Sequence, residues 1–336
     1  MTPPTAAPVY TKKDFVTDQE VRWCPGCGDY AILNGVQQAF ASMGVPREKF
    51  VIVSGIGCSS RFPYYVNTFG FHTIHGRAPG VASGLKIARP DLEVWVVTGD
   101  GDALSIGGNH LIHAMRRNMD LKVLLFNNRI YGLTKGQYSP TSELGKKTKT
   151  TPLGSLDAPF NPIALALGAG ATFVARTVDT QIQHLKAIVE AAHAHKGFAF
   201  VEILQNCVIF NDGAFDHVAG REVRDARQVD LRPGQPLVYG PDAAQGLRFT
   251  PSAIELCAAA EADAWDPAEP SGALAYRICQ GDENGAQPMP IGIFRSVQRP
   301  RLDEQIHEQI AAATRSMGEG TLDSLLGAGE TWKVLA

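Results

Sequence analysis

The chain has 336 residues, 44% of them hydrophobic and 19% charged, enough to bury a full core and within the ordinary globular range. A formal net charge of -3 and a pI near 6.3 lack the basic excess that nucleic acid or an anionic membrane surface calls for, so neither is expected as a partner. No apolar stretch approaches the roughly 18 residues of a membrane span. The opening MTPPTAAPVYTKKDF has no apolar segment followed by a small-residue cleavage site, and the expected location is the cytoplasm.

Residues 1–22 are Pro-rich and then polar, and read as an extended arm. The pattern DYAILNGVQQAFASM predicts a helix over Asp29–Met43, and the apolar run KFVIVS predicts a buried strand over Lys49–Ser54. Helices are then expected over Gly80–Ala88, Asp102–Arg117, Asn161–Leu167 and Asp179–His195, alternating with strands over Leu92–Thr98, Leu121–Phe126, Ala171–Ala175 and Phe198–Leu204. Continuous apolar strands separated by helices predict an α/β fold with a doubly wound, mostly parallel sheet covered on both faces. Beyond about Asn211 the chain turns rich in Asp, Gly and Pro and reads as a loop-rich C-terminal extension, not a second compact domain. The expected division is an arm over 1–22, a binding domain over 23–215 and the extension over 216–336.

Ligands of an open parallel sheet bind beyond the carboxyl ends of its strands. Three such ends carry unusual residues: Gly55-Ile56-Gly57-Cys58, Gly99-Asp100-Gly101-Asp102 and Asn127-Asn128-Arg129-Ile130-Tyr131-Gly132. A lone Gly-Asp-Gly is a common turn. Paired with Asn-Asn at the end of the next strand, it lets the Asp100 carboxylate, the Asn128 amide oxygen and the Ile130 carbonyl face one point. Hard oxygen ligands that leave places for phosphate oxygens suit Mg²⁺. Gly99 and Gly101 allow close backbone approach, and the helix starting near Asp102 turns free N–H groups toward an anion. A dinucleotide fingerprint fits poorly: the third glycine of G-x-G-x-x-G is absent, and an acid between the first two repels a pyrophosphate unless a cation intervenes. Gly-Asp-Gly followed by Asn-Asn resembles the thiamine-diphosphate motif, and the resemblance implies that Asp100, Asn128 and Ile130 hold Mg²⁺ for that cofactor.

Six cysteines are too sparse in so long a chain for a disulfide scaffold, and clustered thiols in a reducing compartment read as metal ligands or redox groups. Trp23-Cys24-Pro25-Gly26-Cys27-Gly28 invites a thioredoxin-like dithiol reading, but that motif follows a buried strand and here polar residues precede it. Cys58 and Cys207 follow two further strands of the same sheet. Together the four make a thiolate site for Zn²⁺ or a [4Fe–4S] cluster, and spacing does not separate the two. Cys257 and Cys279 read as ordinary structural cysteines.

The combination of Cys-Pro-Gly-Cys-Gly, Gly-Ile-Gly-Cys-Ser, His-Gly-Arg-Ala-Pro-Gly, Gly-Asp-Gly-Asp and Asn-Asn-x-x-Tyr-Gly-Leu-Thr-Lys-Gly-Gln is similar to the β subunit of 2-oxoacid:ferredoxin oxidoreductases over roughly residues 20–215. The segment Pro290-Ile291-Gly292-Ile293-Phe294-Arg295 is also family-like. The resemblance implies that the domain over 23–215 binds thiamine diphosphate, Mg²⁺ and one [4Fe–4S] cluster, the cluster on Cys24, Cys27, Cys58 and Cys207. It implies oxidative decarboxylation of a 2-oxoacid to acyl-CoA and CO2 with electrons passing to ferredoxin, and the same steps fixing CO2 in reverse. It also implies cofactor contacts from Ile56, Gly57, Cys58, Ser59, Gly99, Asp100, Gly101, Asp102, Asn128, Ile130, Tyr131, Gly132, Leu133 and Thr134, with Ile56, Gly57 and Ser59 on the pyrimidine side.

His75, beside Gly76 and Arg77, reads either as structural or as a diphosphate contact. Lys135 stands where family members acting on neutral 2-oxoacids have a small residue. It reads either as a solvated loop lysine or as a catalytic-site partner for a second carboxylate, which favours 2-oxoglutarate over pyruvate or a broad range. The glutamate that thiamine enzymes use on the aminopyrimidine comes from a separate domain, for which 336 residues leave no room. An α subunit on another chain is therefore expected, in an (αβ)2 assembly with the extension packed against it. A thiamine enzyme without electron transfer is the first rival and leaves the four thiols unexplained; a zinc-binding scaffold subunit is the second and leaves Asp100 and Asn128 unexplained.

Overall fold

Strands form where the apolar runs stand, because a run that is apolar at every position satisfies both faces of a covered sheet. The computed structural model describes residues 8–281, 287–332 and 334; the first residues of the expected arm and the stretch 282–286 of the extension lie outside the described residues. The strands are β1 (Phe50–Ser54), β2 (Phe69–His72), β3 (Glu93–Gly99), β4 (Lys122–Asn127), β5 (Phe173–Val178), β6 (Ala199–Leu204), β7 (Gln228–Leu231), β8 (Val238–Tyr239), β9 (Gln245–Phe249), β10 (Ile254–Ala258) and β11 (Met289–Ser296). The helices that matter for the site are α1 (Asp29–Ser42), α2 (Phe62–Tyr65), α3 (Ala78–Ala88), α4 (Asp100–Leu104), α5 (Gly108–Arg116), α6 (Pro162–Gly168) and α7 (Ile182–Ala194).

Eight strands make one sheet in the order β2-β1-β3-β4-β6-β5-β11-β7. Neighbours run parallel except β5 and β11, which are antiparallel. Successive residues of β1 point to opposite faces: Phe50 and Ile52 join a core with α1 and α7, whereas Val51 and Val53 join one with α3, α5 and α6. That period of two is what a strand buried on both sides requires. No helix among the described residues is long and apolar enough to cross a membrane.

Three differences from the sequence reading have physical causes. The helix expected over Asp102–Arg117 is broken into α4 and α5, because Ser105 takes φ -94 and ψ -107 and Gly107 packs against Gly76, where an added Cβ on Gly76 would stand 2.5 Å from the Gly107 nitrogen. The edge strand β2, exposed along its length, has only four residues between Thr68 and Thr73, so the sequence ahead of His75 reads as no more than a short strand or turn. The stretch read as loops contributes β7 and β11 to the main sheet and a separate antiparallel sheet, β10-β9-β8. Its Asp and Gly content reflects short strands joined by many turns.

β11 is locked in place by a buried ion pair. Arg176 on β5 donates from Nε to Glu202 on β6 (2.7 Å) and from a terminal nitrogen to the Pro290 carbonyl (3.2 Å), and Asn127 Nδ2 at the end of β4 donates to the other Glu202 oxygen (2.7 Å). A desolvated carboxylate tolerates burial when each oxygen is met by a donor, and here those donors come from neighbouring strands.

Candidate functional site

The carboxyl ends of β1, β3, β4 and β6 open onto two adjoining cavities, one of about 440 Å³ and one of about 240 Å³. The larger is lined by Ile56, Gly57, Cys58 and Ser59 after β1, by His75, by Gly99, Asp100, Gly101 and Asp102 at the end of β3, and by Asn128, Ile130, Tyr131, Gly132, Leu133 and Thr134 after β4. The smaller is lined by Cys24, Cys27, Cys58 and Cys207 together with Arg22, Arg61 and Lys135. Asp29, Cys58, Asn128, Gly132, Leu133 and Gln205 line both, so the two cavities share a wall.

The two acids of Gly-Asp-Gly-Asp have different surroundings. Asp102 is buried and spent: its Oδ1 accepts from the Ile56 N–H (3.1 Å), the Gly76 N–H (2.7 Å) and His75 Nδ1 (2.6 Å), and its Oδ2 accepts from the Thr98 hydroxyl (2.7 Å). Gly55 is required there, since a Cβ would lie 1.8 Å from Asp102 Oδ2. Asp100, 2% exposed, accepts at Oδ2 from the Ser139 (2.5 Å) and Thr141 (2.6 Å) hydroxyls. Burial pushes its carboxyl above the usual range, against the pull of those hydroxyls. A divalent cation would offset that cost, and the Asn128 amide and Ile130 carbonyl line the same cavity, so the oxygen donors fit Mg²⁺. The Asn128 Oδ1 also accepts from the Ile130 N–H (3.1 Å), which fixes the turn. The Tyr131 hydroxyl donates to the Gly101 carbonyl (2.9 Å), tying the β3 and β4 ends together.

The cysteines are assembled by close backbone contacts. Trp23 Nε1 donates to the Cys58 carbonyl (2.7 Å). Gly28 donates from its N–H to the Asn206 carbonyl (3.1 Å), and a Cβ there would meet Asp179 Oδ2 at 1.9 Å. A Cβ on Gly132 would stand 3.6 Å from both the Cys58 and the Cys207 sulfur. Burial, then the Asp29 carboxylate, then the other thiols push the Cys58 thiol up to about 12, and the Cys27 thiol is driven up in the same way. Four cysteine sulfurs around one cavity fit a polynuclear cationic group, which binds them as thiolates. Among the described residues, no compact group of three or more His, Cys, Asp or Glu side chains stands at the spacing of a single metal ion. Cys257 on β10 and the buried Cys279 line neither cavity.

Lys135 lines the thiol cavity, two residues beyond Leu133 on the shared wall, in a turn where it takes φ +76 and Gly136 φ +99. His75 borders the larger cavity, its Nδ1 occupied by Asp102. Two residues were missed. Asp29, 1% exposed at the start of α1, has its carboxyl raised to about 7 by burial, against the pull of the Cys27 thiol. Gln205, 1% exposed, follows β6 directly. The position of Asp29 just after Cys27-Gly28 was a usable signal; nothing marks Gln205 in the sequence.

Residues 55–203 match the family model described as the thiamine pyrophosphate enzyme C-terminal TPP binding domain. The chain is 52% identical over 343 residues to the 2-oxoglutarate oxidoreductase subunit KorB of Mycobacterium tuberculosis, covering 98% of this chain and 90% of that one. It is 52% identical over 190 residues to the 2-oxoacid:ferredoxin oxidoreductase 1 subunit beta of Aeropyrum pernix, covering 56% and 60%. A chain of the 2-oxoglutarate:ferredoxin oxidoreductase from Magnetococcus marinus, solved with 2-oxoglutarate, coenzyme A and succinyl-CoA bound, superposes with a TM-score of 0.76 at 34% identity, over 95% of this chain and 96% of that chain.

Replacing Asp102 by Ala removes both acceptor oxygens and leaves the buried Ile56 and Gly76 N–H groups unmet, at about 1–3 kcal/mol each. Asp102→Ala is expected to lower the denaturation midpoint and to speed amide exchange at Ile56 and Gly76 while leaving exchange in β5 and β6 unchanged.

Proposed function

The chain belongs to the β subunits of the 2-oxoacid:ferredoxin oxidoreductases, and on that premise we propose that it carries the Mg²⁺–thiamine diphosphate half-site and one [4Fe–4S] cluster of an enzyme that oxidatively decarboxylates 2-oxoglutarate. The observation that supports this most strongly is the wall shared between a cavity edged by Asp100 and Asn128 and a cavity ringed by four cysteines. When bound, thiamine diphosphate supplies the carbon nucleophile for decarboxylation, and a [4Fe–4S] cluster accepts the electrons one at a time for a ferredoxin. Coenzyme A takes the acyl group, and a strong reductant reverses the sequence to fix CO2.

On this reading the chain's own residues do four things. Asp100, Asn128 and the Ile130 carbonyl hold Mg²⁺, with Ser139 and Thr141 orienting Asp100. Asp102 holds the Ile56 and Gly76 backbone against the cofactor. Leu133, on both cavities, keeps water from the wall between them. Cys24, Cys27, Cys58 and Cys207 ligate the cluster. An α subunit supplies the pyrimidine side in a cytoplasmic (αβ)2 assembly; the exposed apolar Leu133 on the larger cavity and Ile74 beside His75 support a partner chain there. Exposed Leu322, Leu325 and Trp332 likewise support packing of the C-terminal extension on that partner.

Anaerobically purified protein should contain about four irons per chain with matching acid-labile sulfide. Cys207→Ala should lose that iron, and Cys257→Ser and Cys279→Ser should keep it; zinc in place of iron overturns the electron-transfer reading. Asp100→Ala should abolish Mg²⁺-dependent thiamine diphosphate binding by calorimetry with an unchanged circular dichroism spectrum. We assign the choice of 2-oxoglutarate to a charge-assisted contact from Lys135, worth about 1.5–3 kcal/mol. In the assembled enzyme, Lys135→Ala should weaken 2-oxoglutarate turnover one to two decades more than pyruvate turnover. Equal losses on both acids would assign its ammonium to the thiols it borders.

A further inference from the structure

Between the two cavities lies an amide whose orientation is fixed by its neighbours. Gln205 Nε2 is 2.6 Å from the Asn206 carbonyl and 3.2 Å from the Cys27 sulfur, while its main-chain N–H donates to the Asn127 carbonyl (2.9 Å). The atom beside the Asn206 oxygen has to be the NH2, because a carbonyl oxygen in its place would set two acceptors against each other. The second hydrogen of that NH2 then points at Cys27. The amide oxygen, buried without a protein partner, is excluded from the sulfur side by the same argument.

We propose that Gln205 sets the reduction potential of the cluster through an N–H···S hydrogen bond to Cys27. The inference rests on the cluster reading given above. A donor on a cysteine sulfur stabilises negative charge, and the reduced cluster carries more of it than the oxidised one, so the bond favours reduction and raises the potential. Burial of the donor, 1% exposed, strengthens the effect, because a hydrogen bond is electrostatically stronger in a low local dielectric. Asp29 lies on the same two cavities, and a negative charge at that position acts in the opposite sense. Gln205 is a positioning residue in this scheme: it touches a ligand sulfur and not the substrate.

The test uses full-length protein purified anaerobically, with Gln205→Leu and Gln205→Met, two shapes that both remove the donor. Iron and sulfide per chain are measured first, then the cluster midpoint by a redox titration followed by electron paramagnetic resonance, then the Fe–S(Cys) stretching bands by resonance Raman. The expected result is unchanged iron and sulfide, a more negative midpoint in both variants and an upshifted Fe–S(Cys) band. An unchanged midpoint and band in either variant that keeps its iron overturns the proposal. Loss of iron from both variants also overturns it, since Gln205 would then serve assembly. Absence of iron and sulfide from the unaltered protein is a different failure, that of the cluster reading itself.

Discussion

Four donors from three separate strand ends converge on the carboxylate of Asp102, and the site is rigid because of that convergence. A buried carboxylate is costly unless its lone pairs are met, and backbone N–H groups meet them without the conformational entropy a lysine or arginine would lose. The backbone after β1 and the loop after β2 are thereby clamped to the start of α4. Asp100, two residues earlier, takes two hydroxyls at one oxygen and faces the larger cavity as a ligand would. One short sequence thus contains an acid that builds and an acid that binds, and the difference lies entirely in what each faces.

The shared wall turns this rigidity toward chemistry. Asp29 and Gln205 are buried polar groups facing two cavities, and the Gln205 amide oxygen has no protein partner. Natural interiors seldom leave such groups without partners, and they concentrate where a bound group completes the set. Gly132 and Leu133 complete the partition, the first lying where a Cβ would just touch the Cys58 and Cys207 sulfurs at 3.6 Å.

Much of this was legible in the sequence, and the rest was hidden for identifiable reasons. The central strands announced themselves as unbroken apolar runs, and the Gly-Asp-Gly and Asn-Asn turns announced themselves by falling at the ends of adjacent ones. The cysteines could be grouped because each followed a strand or opened α1. Gln205 gave no signal, since a glutamine carries no charge and its role depends on the Asn206 carbonyl turning its amide. The turn that carries Lys135 was not legible, because two successive positive φ values, one of them at a lysine, are not encoded by residue type. β11 was noticed as a motif and not as a strand, because Pro290 and Gly292 are poor strand residues and the partner it pairs with lies far back in the chain.

That far-back pairing governs how the molecule is made. β11 lies between β5 and β7, so a nascent chain that has emerged only as far as Leu204 presents β5 as a bare edge, with its backbone unpaired and Arg176 lacking the Pro290 carbonyl. Closing that gap waits for the whole intervening segment and costs loop-closure entropy that local pairings do not. The order of synthesis therefore builds the half of the sheet that bears the thiols before the half that seals it. A chain cut short before Met289 is a sticky fragment with an open edge, and not a smaller working domain.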